Sequence, residues 1–352
     1  MKILGIESSC DETAAAVVED GHILLSNVVA TSMDLHAVYG GVVPEIAARS
    51  HVEFIIPVIE KSLTDANLDW SDIDGIAITY GAGLGGSLLI GVIVARTLAI
   101  IKEKPLYKVN HVAGHICVNF LTDTKLDYKL PDKQPEFPML GLIVSGGHSQ
   151  LVYYENHFKY QLLGQTRDDA IGEAFDKVAK IIGLPYPGGP SIAKAAELGD
   201  PYAYQLPKSH LKEKYDFSFS GIKTAVLRLS QSLIGEDYNF PSIKLSERLN
   251  DSQKANIAAS FQRIAIETLV DKTVQAFEEF KPKSVVIGGG VASSKELRNQ
   301  LSARLPLEIS YTDPRLCTDN GAMIATLGFY QAINNVGVAD PYKLTIKPNL
   351  SM

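Results

Sequence analysis

The sequence predicts a two-lobed α/β protein, because one plan of strands, polar turns and helices occurs twice along its 352 residues. Each half opens with apolar runs joined by a small polar turn, which is the pattern of an antiparallel hairpin. Later in each half, an apolar strand leads through glycines into a helix. An apolar content of 46% is enough for two substantial cores.

The first half begins with a predicted strand at 3–6, a polar turn at Ser8–Thr13 and a returning strand at Ala14–Val18. Glu19–Gly21 has the composition of a second hairpin turn, and it leads into a third strand at Ile23–Val29. Three consecutive antiparallel strands are therefore expected at the start of the chain.

Helices and parallel strands are predicted next. A helical pattern covers 44–63, and a strand at Ile76–Thr79 enters the glycine-rich segment Gly81–Gly86 and then a helix through Leu98. A short strand is predicted at Leu106–Val109. This order of elements is typical of an α/β lobe.

The second half repeats this plan from residue 140. A hairpin joins Leu140–Val144 to Gln150–Tyr154 through Ser145–His148, and a later strand, Ser284–Ile287, enters Gly288–Gly290. The helices predicted in this half are 168–182, 252–279 and one that ends near Leu301.

The boundary between the lobes is predicted at 122–137, which is polar, contains Pro131 and Pro135 and shows no periodicity. The expected lobes are 1–125, completed by 325–352, and 137–324. Duplicated lobes with hairpin-led sheets are typical of the actin-like ATPase fold of actin, sugar kinases and Hsp70, which is ribonuclease H-like. This analogy concerns the fold and does not establish function.

Charge and cysteine content argue against several classes of protein. A net charge of −7 gives no support to a sequence-independent nucleic-acid binder. The three cysteines are odd in number and far apart, which disfavours disulfides and a structural zinc cluster. Glu7 comes too early for a signal peptide, and Arg96 interrupts the longest apolar stretch, Leu88–Ile101. A cytosolic protein without membrane association is expected.

Two histidines four residues apart, His111 and His115, indicate a metal site. If the segment is helical, both imidazoles lie on one face, about 5–6 Å apart at Cβ, which suits one divalent cation. A zinc protease of the His-Glu-x-x-His type carries its general base directly after the first histidine. Here that position is Val112. The pair can bind a metal but lacks the protease's base.

Acidic residues in turns offer further chemistry. Asp319 precedes a predicted helix start at Asn320-Gly321, so it is either a helix cap or a third metal ligand brought from the other lobe. Two imidazoles, one carboxylate and open positions describe a catalytic metal site. Asp11 and Glu12 lie at the tip of the first hairpin. A further acidic group is predicted in one helical stretch, and the last three of its members share a face: Asp168, Asp169, Glu173 and Asp176.

Glycine-rich turns between strands and helices expose backbone N–H groups to anions. Four such turns in a two-lobed chain favour a nucleotide or another phosphate ligand, namely Gly81–Gly86, Ser145–Gly147, Gly188-Gly189 and Gly288–Gly290. None of them matches the P-loop or the dinucleotide fingerprint, which disfavours dehydrogenase chemistry.

The segment Lys208–Phe219, with Lys223 beyond it, mixes cations with the aromatic residues Tyr215, Phe217 and Phe219. Cations attract phosphate and aromatic rings stack on unpaired bases, so the segment could contact RNA. The alternative is a core strand whose aromatic side chains face inward. Both interpretations stay open at this point.

Eight motifs in order resemble the TsaD family, known also as Gcp or YgjD and formerly labelled O-sialoglycoprotein endopeptidases. They are Gly5–Thr13, Tyr39–His51, His111–His115, Val144–His148, Gly172–Lys177, Tyr186–Pro190, Asp216–Lys223 and Cys317–Met323. The histidine at 148 resembles the bacterial branch of that family.

The resemblance implies an acyltransferase that modifies tRNA. The donor would be threonylcarbamoyl-AMP, and the acceptor would be the N6 amine of the adenosine 3′ of the anticodon, at position 37. The tRNAs would be those that read codons beginning with A. The resemblance further implies the partner proteins TsaB and TsaE, and one iron (Fe²⁺) or zinc ion per subunit.

The resemblance also assigns residues. His111, His115 and Asp319 match the family's metal ligands. Asp11 and Glu12 match its active-site acids. The positions that match its substrate-binding residues are Ile143, Val144, Ser145, Gly146, Gly147, Asp176, Gly189 and Ser294. Ser294 departs from the family's usual Asn and puts one hydrogen bond in doubt, and Ala82 stands where the family often has Pro.

A mechanism follows as a hypothesis. The metal would polarise the donor carbonyl, the loops at Ser145–Gly147 and Gly188-Gly189 would supply backbone donors, and Asp11 or Glu12 would accept the amine proton. The rival hypotheses are a metallopeptidase, an actin-like kinase or ATPase, and a noncatalytic nucleotide-binding regulator.

Overall fold

Two mixed β-sheets organise the chain in a computed structural model that describes residues 1–209 and 211–352. The chain forms two compact units. The first unit is Met1–Pro135 with Ser310–Met352, and the second unit is Glu136–Ile309. His210, within the lysine-rich segment considered above, lies outside the described residues.

The strands, numbered along the described chain, are β1 (Lys2–Glu7), β2 (Glu12–Glu19), β3 (Ile23–Thr31), β4 (Gly75–Gly81), β5 (Leu106–Asn110), β6 (Asp123–Thr124), β7 (Met139–Val144), β8 (Ser149–Tyr154), β9 (Tyr160–Gln165), β10 (Ser284–Gly288), β11 (Ile309–Ser310) and β12 (Val338–Ala339).

The helices are α1 (Met33–Ala37), α2 (Pro44–Asp65), α3 (Gly85–Ile101), α4 (His111–Cys117), α5 (Ile171–Ile182), α6 (Gly188–Ala196), α7 (Ser220–Leu233), α8 (Leu245–Arg248), α9 (Asp251–Phe280), α10 (Lys295–Arg304) and α11 (Gly321–Ile333). Within the described residues, none of these helices combines the length and the apolarity that crossing a bilayer requires.

The predicted duplication is confirmed by the strand order. In the first sheet the order is β12-β5-β4-β1-β2-β3-β6, and in the second it is β11-β10-β7-β8-β9. In each sheet, three antiparallel strands from consecutive hairpins are followed by a strand that pairs in parallel with the first of them. The third strand of the second sheet, β9, was not predicted from the sequence.

The first sheet carries helices on both faces, because its central strands are apolar on both sides. Leu4 and Ile6 of β1 belong to one buried cluster with side chains of α2 and α3. On the opposite face, Gly5 faces α11, where a Cβ atom would come within 2.3 Å of the Ala325 nitrogen. Only glycine permits this approach of helix to strand.

Residues 310–324 pack with the first unit because α11 contacts β1, β2 and α4. The segment that completes the first unit therefore begins at Ser310, not at 325 as expected from the sequence. Asp319 consequently lies in the same unit as His111 and His115. This corrects the expectation that Asp319 comes from the other lobe.

Helix α5 begins at Ile171, not at 168 as predicted. Asp168 lies outside the helix because its carboxylate accepts hydrogen bonds from the Phe219 nitrogen at 2.8 Å and the Ser218 hydroxyl at 2.5 Å. Asp168 thus accepts a hydrogen bond from the backbone at the start of α7, a helix that the sequence did not predict. Asp169 also precedes α5, so only Glu173 and Asp176 of the predicted acidic face lie on the helix.

A C-terminal strap, defined as residues 340–351, crosses the first unit and is attached through α3. The guanidinium of Arg96 donates to the carbonyl oxygens of Pro341, Tyr342 (3.0 Å) and Leu344 (3.2 Å). The charge that interrupts the apolar stretch Leu88–Ile101 is thus used to hold this strap.

We expect Arg96→Met to lower the free energy of unfolding by about 1–3 kcal/mol, because charge-assisted hydrogen bonds to three carbonyls are lost while the apolar stem is kept. Urea denaturation measures this loss, and limited proteolysis measures release of the strap. Arg49→Met, at an exposed position of α2, is the matched control. Equal stability and equal proteolysis of both variants would contradict the role of Arg96.

Candidate functional site

The two histidines lie on α4, directly after β5. Asn110 begins the helix, because its side-chain oxygen accepts from the nitrogens of Val112 (2.8 Å) and Ala113 (3.3 Å). One helical turn then brings the rings of His111 and His115 to a centroid separation of 4.7 Å. Both side chains are buried. The predicted helical spacing of the pair is confirmed.

Asp319 completes a three-residue group with these histidines. One carboxylate oxygen, Oδ1, lies 3.6 Å from Nε2 of His111 and 3.4 Å from Nε2 of His115. The position follows from the chain, because Asp319 directly precedes Asn320, which caps α11 by accepting from the Met323 nitrogen at 2.9 Å. The cap suggested for Asp319 is thus provided by its neighbour.

This group could hold a metal ion. One ligand atom from each residue can be chosen such that all three lie within 4.8 Å of one another. Two imidazole nitrogens and one carboxylate oxygen suit zinc or ferrous iron and leave coordination positions for a substrate. Val112, which directly follows His111, is apolar and fully buried, so it provides no general base for a peptidase.

Glu7, which the sequence analysis did not single out, supports the histidine pair. Its Oε2 atom lies 3.2 Å from Nδ1 of His111 and accepts from the Thr79 hydroxyl at 2.6 Å, and its Oε1 accepts from the Ser9 nitrogen at 2.5 Å. The signal in the sequence was a charged residue that ends an otherwise apolar strand within the motif Gly5–Thr13.

Buried carboxylates shift the proton affinities in this group. Burial lowers the pKa of His111, but the negative charges of Asp319 and Glu7 outweigh this and raise it to about 9. Burial raises the pKa of Asp319 to about 6, against the opposing charge of His111. Without a bound cation, the group therefore retains a proton at neutral pH.

Asp11 and Glu12 lie where β1 turns into β2, as the sequence predicted. Burial raises the pKa of Glu12 to about 10, and the charges of Asp319 and Asp11 add to this effect. A hydrogen bond to Asp11 also favours the protonated form of Glu12. The two acids are thus not equivalent, since Glu12 holds a proton at neutral pH in the metal-free protein.

His51 of α2 fixes the same turn. Its Nδ1 lies 2.7 Å from the Thr13 hydroxyl, and its Nε2 lies 3.0 Å from the carbonyl oxygen of Cys10. Burial lowers the pKa of His51, so the ring is neutral at physiological pH. The sequence indicated this residue only through its place in the motif Tyr39–His51.

In the second unit, the turn Ser145–Gly147 closes the hairpin of β7 and β8. The Ser145 nitrogen donates to the His148 carbonyl at 2.8 Å, and the His148 nitrogen donates to the Ser145 hydroxyl at 3.2 Å. Cβ atoms added to Gly146 or Gly147 would meet no atom within 4 Å, so their backbone borders open space. Ile143 and Val144 are fully buried, so they support this turn from the core.

Asp176 and Gly189 lie beside each other in the second unit. Oδ1 of Asp176 accepts from the Gly188 nitrogen at 2.7 Å and so orders the start of α6. Burial raises the pKa of Asp176, and this hydrogen bond from Gly188 partly offsets it. Gly189 borders open space, as Gly146 and Gly147 do.

The first turn of α5 links these positions to the hairpin, because the Gly172 nitrogen donates to the Ser145 carbonyl at 3.3 Å. Gly289, at the end of β10, packs against the carbonyl of Val144. Ser294 follows as the cap of α10, with its hydroxyl accepting from the Leu297 nitrogen at 3.4 Å. The predicted substrate-binding positions thus gather at the carboxyl ends of β7 and β10, where α/β sheets bind ligands.

The aromatic residues of the lysine-rich segment belong to the core of the second unit. Tyr215, Phe217 and Phe219 are all buried, so their rings are not available for stacking on RNA bases. Lys208 pairs with Glu267 and Asp271, and Lys214 pairs with Glu279. The core interpretation is confirmed for these residues.

Curated relatives match nearly the whole chain. The tRNA N6-adenosine threonylcarbamoyltransferase of Thermomicrobium roseum is 49% identical over 343 residues, which cover 96% of this chain and 93% of the relative. The protein of the same name from Symbiobacterium thermophilum is 48% identical and is matched over 99% of this chain and 96% of its own.

Among solved structures, HypF from T. kodakarensis has a TM-score of 0.56 at 16% identity, with 95% of this chain and 48% of HypF covered. At this identity the likeness concerns the fold alone. The actin-like ATPase fold predicted from the sequence is confirmed.

A family model described as TsaD, tRNA N6-adenosine threonylcarbamoyltransferase, matches residues 23–326. Because this match covers most of the chain and the relatives are nearly half identical over their full lengths, the chain belongs to the TsaD family of tRNA N6-adenosine threonylcarbamoyltransferases.

Proposed function

We propose that this protein transfers the threonylcarbamoyl group of threonylcarbamoyl-AMP to the N6 amine of adenosine 37 in tRNAs that read codons beginning with A. The observation that carries the proposal is the buried group of His111, His115 and Asp319 in a chain of this family. We further propose that the reaction takes place in the cytoplasm, together with TsaB and TsaE.

His111, His115 and Asp319 would hold one Fe²⁺ or Zn²⁺ ion. When bound, such an ion supplies Lewis-acid polarisation of the donor's carbonyl.

The transfer forms a bond between N6 and the carbamoyl carbon and breaks the bond from that carbon to the phosphate oxygen of AMP. The amine loses one proton, and AMP is released with the phosphate oxygen of the broken bond. Asp11 is assigned as the proton acceptor. Glu12, whose pKa is raised to about 10 by burial and by the charges of Asp319 and Asp11, is assigned as a hydrogen-bond donor to Asp11 or to the substrate.

Binding of the adenylate part of the donor is assigned to the second unit. Gly146, Gly147 and Gly189 border open space, and their backbone N–H groups are suited to phosphate oxygens. Ile143 and Val144 would contribute by supporting the turn that carries Gly146 and Gly147. Asp176 would act by ordering the start of α6, and Ser294 by capping α10.

The net charge of −7 makes strong unaided binding of tRNA unfavourable at physiological salt. The assembly with TsaB and TsaE is therefore proposed to contribute to tRNA binding. Reconstitution with tRNA, threonylcarbamoyl-AMP and these partners, followed by mass analysis of the nucleosides, tests the function. Absence of threonylcarbamoyladenosine from a metal-loaded assembly would overturn it.

We expect His111→Ala, His115→Ala and Asp319→Ala each to reduce bound metal below one ion per chain. Transfer should fall by more than about 100-fold, since loss of a direct ligand should exceed the effect of an outer-shell substitution. Elemental analysis by mass spectrometry and single-turnover transfer measure the two effects. His22→Ala, on the exposed β2–β3 turn, is the control; full activity of the ligand variants would contradict the metal centre.

We expect Asp11→Asn to slow transfer at saturating donor by about 10²–10⁴-fold, the usual value of a general base. Glu12→Gln should cost about tenfold or less, because the amide keeps a donor and an acceptor in the place of a protonated carboxyl. Single-turnover rates decide between the two acids. Unchanged rates in both variants would exclude both acids as the general base. A larger loss of rate in Glu12→Gln than in Asp11→Asn would assign the general base to Glu12.

We expect the stability of the metal-free protein to fall as pH rises between the unfolded pKa of Glu12, 4.5, and its folded pKa of about 10. In this window the folded state keeps a proton that the unfolded state releases. Glu12→Gln removes this difference, so it should gain stability relative to the wild type as pH rises. Urea denaturation in chelator across this window measures the effect, with Glu19→Gln as the control; a difference independent of pH would contradict it.

A further inference from the structure

Glu7 is a fully buried acid that is neither a member of the metal-binding group nor one of the two catalytic acids. Its two oxygens face three partners: the Ser9 nitrogen at 2.5 Å, the Thr79 hydroxyl at 2.6 Å and Nδ1 of His111 at 3.2 Å. A buried charge of this kind is costly unless such partners satisfy it.

The partners determine where the proton of His111 lies. An ionised carboxylate only accepts hydrogen bonds, and a neutral imidazole carries a proton on only one nitrogen. Oε1 of Glu7 accepts from the Ser9 nitrogen and Oε2 accepts from the Thr79 hydroxyl, so both oxygens act as acceptors here. Nδ1 of His111 therefore carries the proton and donates to Glu7.

The other ring nitrogen, Nε2, then faces Asp319 and can act as a ligand. Nε2 of His111 lies on the side of Asp319, 3.6 Å from its Oδ1, and has its lone pair available when the proton is on Nδ1. The Ser9 hydroxyl lies 3.0 Å from Nδ1 and can accept from the same N–H group. The carboxylate of Glu7 thus favours this tautomer, and the Ser9 hydroxyl is compatible with it.

We propose that Glu7 is a positioning residue that holds His111 in the tautomer with Nδ1–H and so presents Nε2 to a divalent cation. This inference rests on the metal centre proposed above. It concerns affinity for the ion and not a contact with the substrate.

The position of Glu7 is set by the sheet. β1 and β4 pair in parallel with Ile6 opposite Ile78, so Glu7 and Thr79 follow at adjacent strand ends. The hydroxyl of Thr79 therefore fixes the carboxylate from the neighbouring strand. A purely structural role, in which Glu7 only orders the turn at Ser9, would affect stability without affecting the ion.

Titration of metal-free protein with Zn²⁺ against a chromophoric chelator tests the proposal. We expect Glu7→Gln to weaken Zn²⁺ binding by about 10–100-fold, the usual effect of removing an outer-shell carboxylate. Glutamine has one acceptor oxygen and one donor NH2 group in place of the two acceptor oxygens of Glu7. Its NH2 group must therefore face one of the partners that donate to Glu7 in the wild type. Glu19→Gln, in the same sheet, should bind Zn²⁺ as the wild type does.

A second pair of variants tests the same contact without removing the charge. Thr79→Val should weaken Zn²⁺ binding several-fold because the carboxylate loses one fixed donor, whereas Thr79→Ser should restore it. Nitrogen NMR of the Zn²⁺-loaded protein should show Nδ1–H of His111 hydrogen-bonded to a carboxylate in the wild type and a shifted Nδ1 resonance in Glu7→Gln. If Glu7 affected only stability, neither the Zn²⁺ affinity nor the NMR signal of His111 would change.

The outcomes separate the two proposals. A wild-type protein that binds no Zn²⁺ would overturn the metal centre itself. A wild type that binds Zn²⁺ and a folded Glu7→Gln variant within about twofold of it would overturn only the role of Glu7. If Glu7→Gln does not fold, equal affinities in Thr79→Val and Thr79→Ser would overturn that role.

Discussion

The crowding of carboxyl groups around two buried imidazoles is the constraint on which the first unit depends. Burial and neighbouring negative charge raise the pKa of Glu12 to about 10 and that of Asp319 to about 6. The charges of Asp319 and Glu7 raise that of His111 to about 9 although its burial opposes this. Without a metal ion, the site therefore keeps protons, and these protons take the place of the positive charge that a cation would bring. A divalent cation would supply that charge and displace the proton from its histidine ligand, so metal affinity and pH are coupled here.

The geometry of this group depends on segments that are distant in sequence. Glu7 ends β1, Thr79 lies in β4, the histidines begin α4 and Asp319 precedes α11. Helix α11 can approach the sheet because Gly321 lacks a Cβ atom, which would lie 2.4 Å from the Ala16 nitrogen. The C-terminal strap adds a further support, since the Asn110 side chain that caps α4 also donates to the Ser351 carbonyl at 3.1 Å. The site is therefore a property of the tertiary fold, and α4 alone would not preserve it.

The features that the sequence predicted are those set by local patterns. The hairpins follow from short apolar runs and polar turns, and the arrangement of the histidine pair follows from helical periodicity. The unit that carries Asp319 and the role of Glu7 were not predictable in this way, because both depend on which strand ends lie side by side. The start of α5 was placed too early, since the carboxylate of Asp168 accepts a hydrogen bond from the distant Phe219 nitrogen, which competes with helix formation.

Ser294 illustrates how the second unit separates support from recognition. Its hydroxyl caps α10, and serine and asparagine are nearly equal as N-caps, so the residue usual in the family and the one found here satisfy the same backbone group. The side chains of Ile143 and Val144 are enclosed in the core, and Gly146, Gly147 and Gly189 have none. Recognition at the three glycines must then be made by backbone N–H and C=O groups, whose direction is fixed by the strand ends and helix starts. A change from Asn to Ser at 294 that keeps the cap therefore keeps the element that aims this backbone, and it alters at most the reach of one side chain.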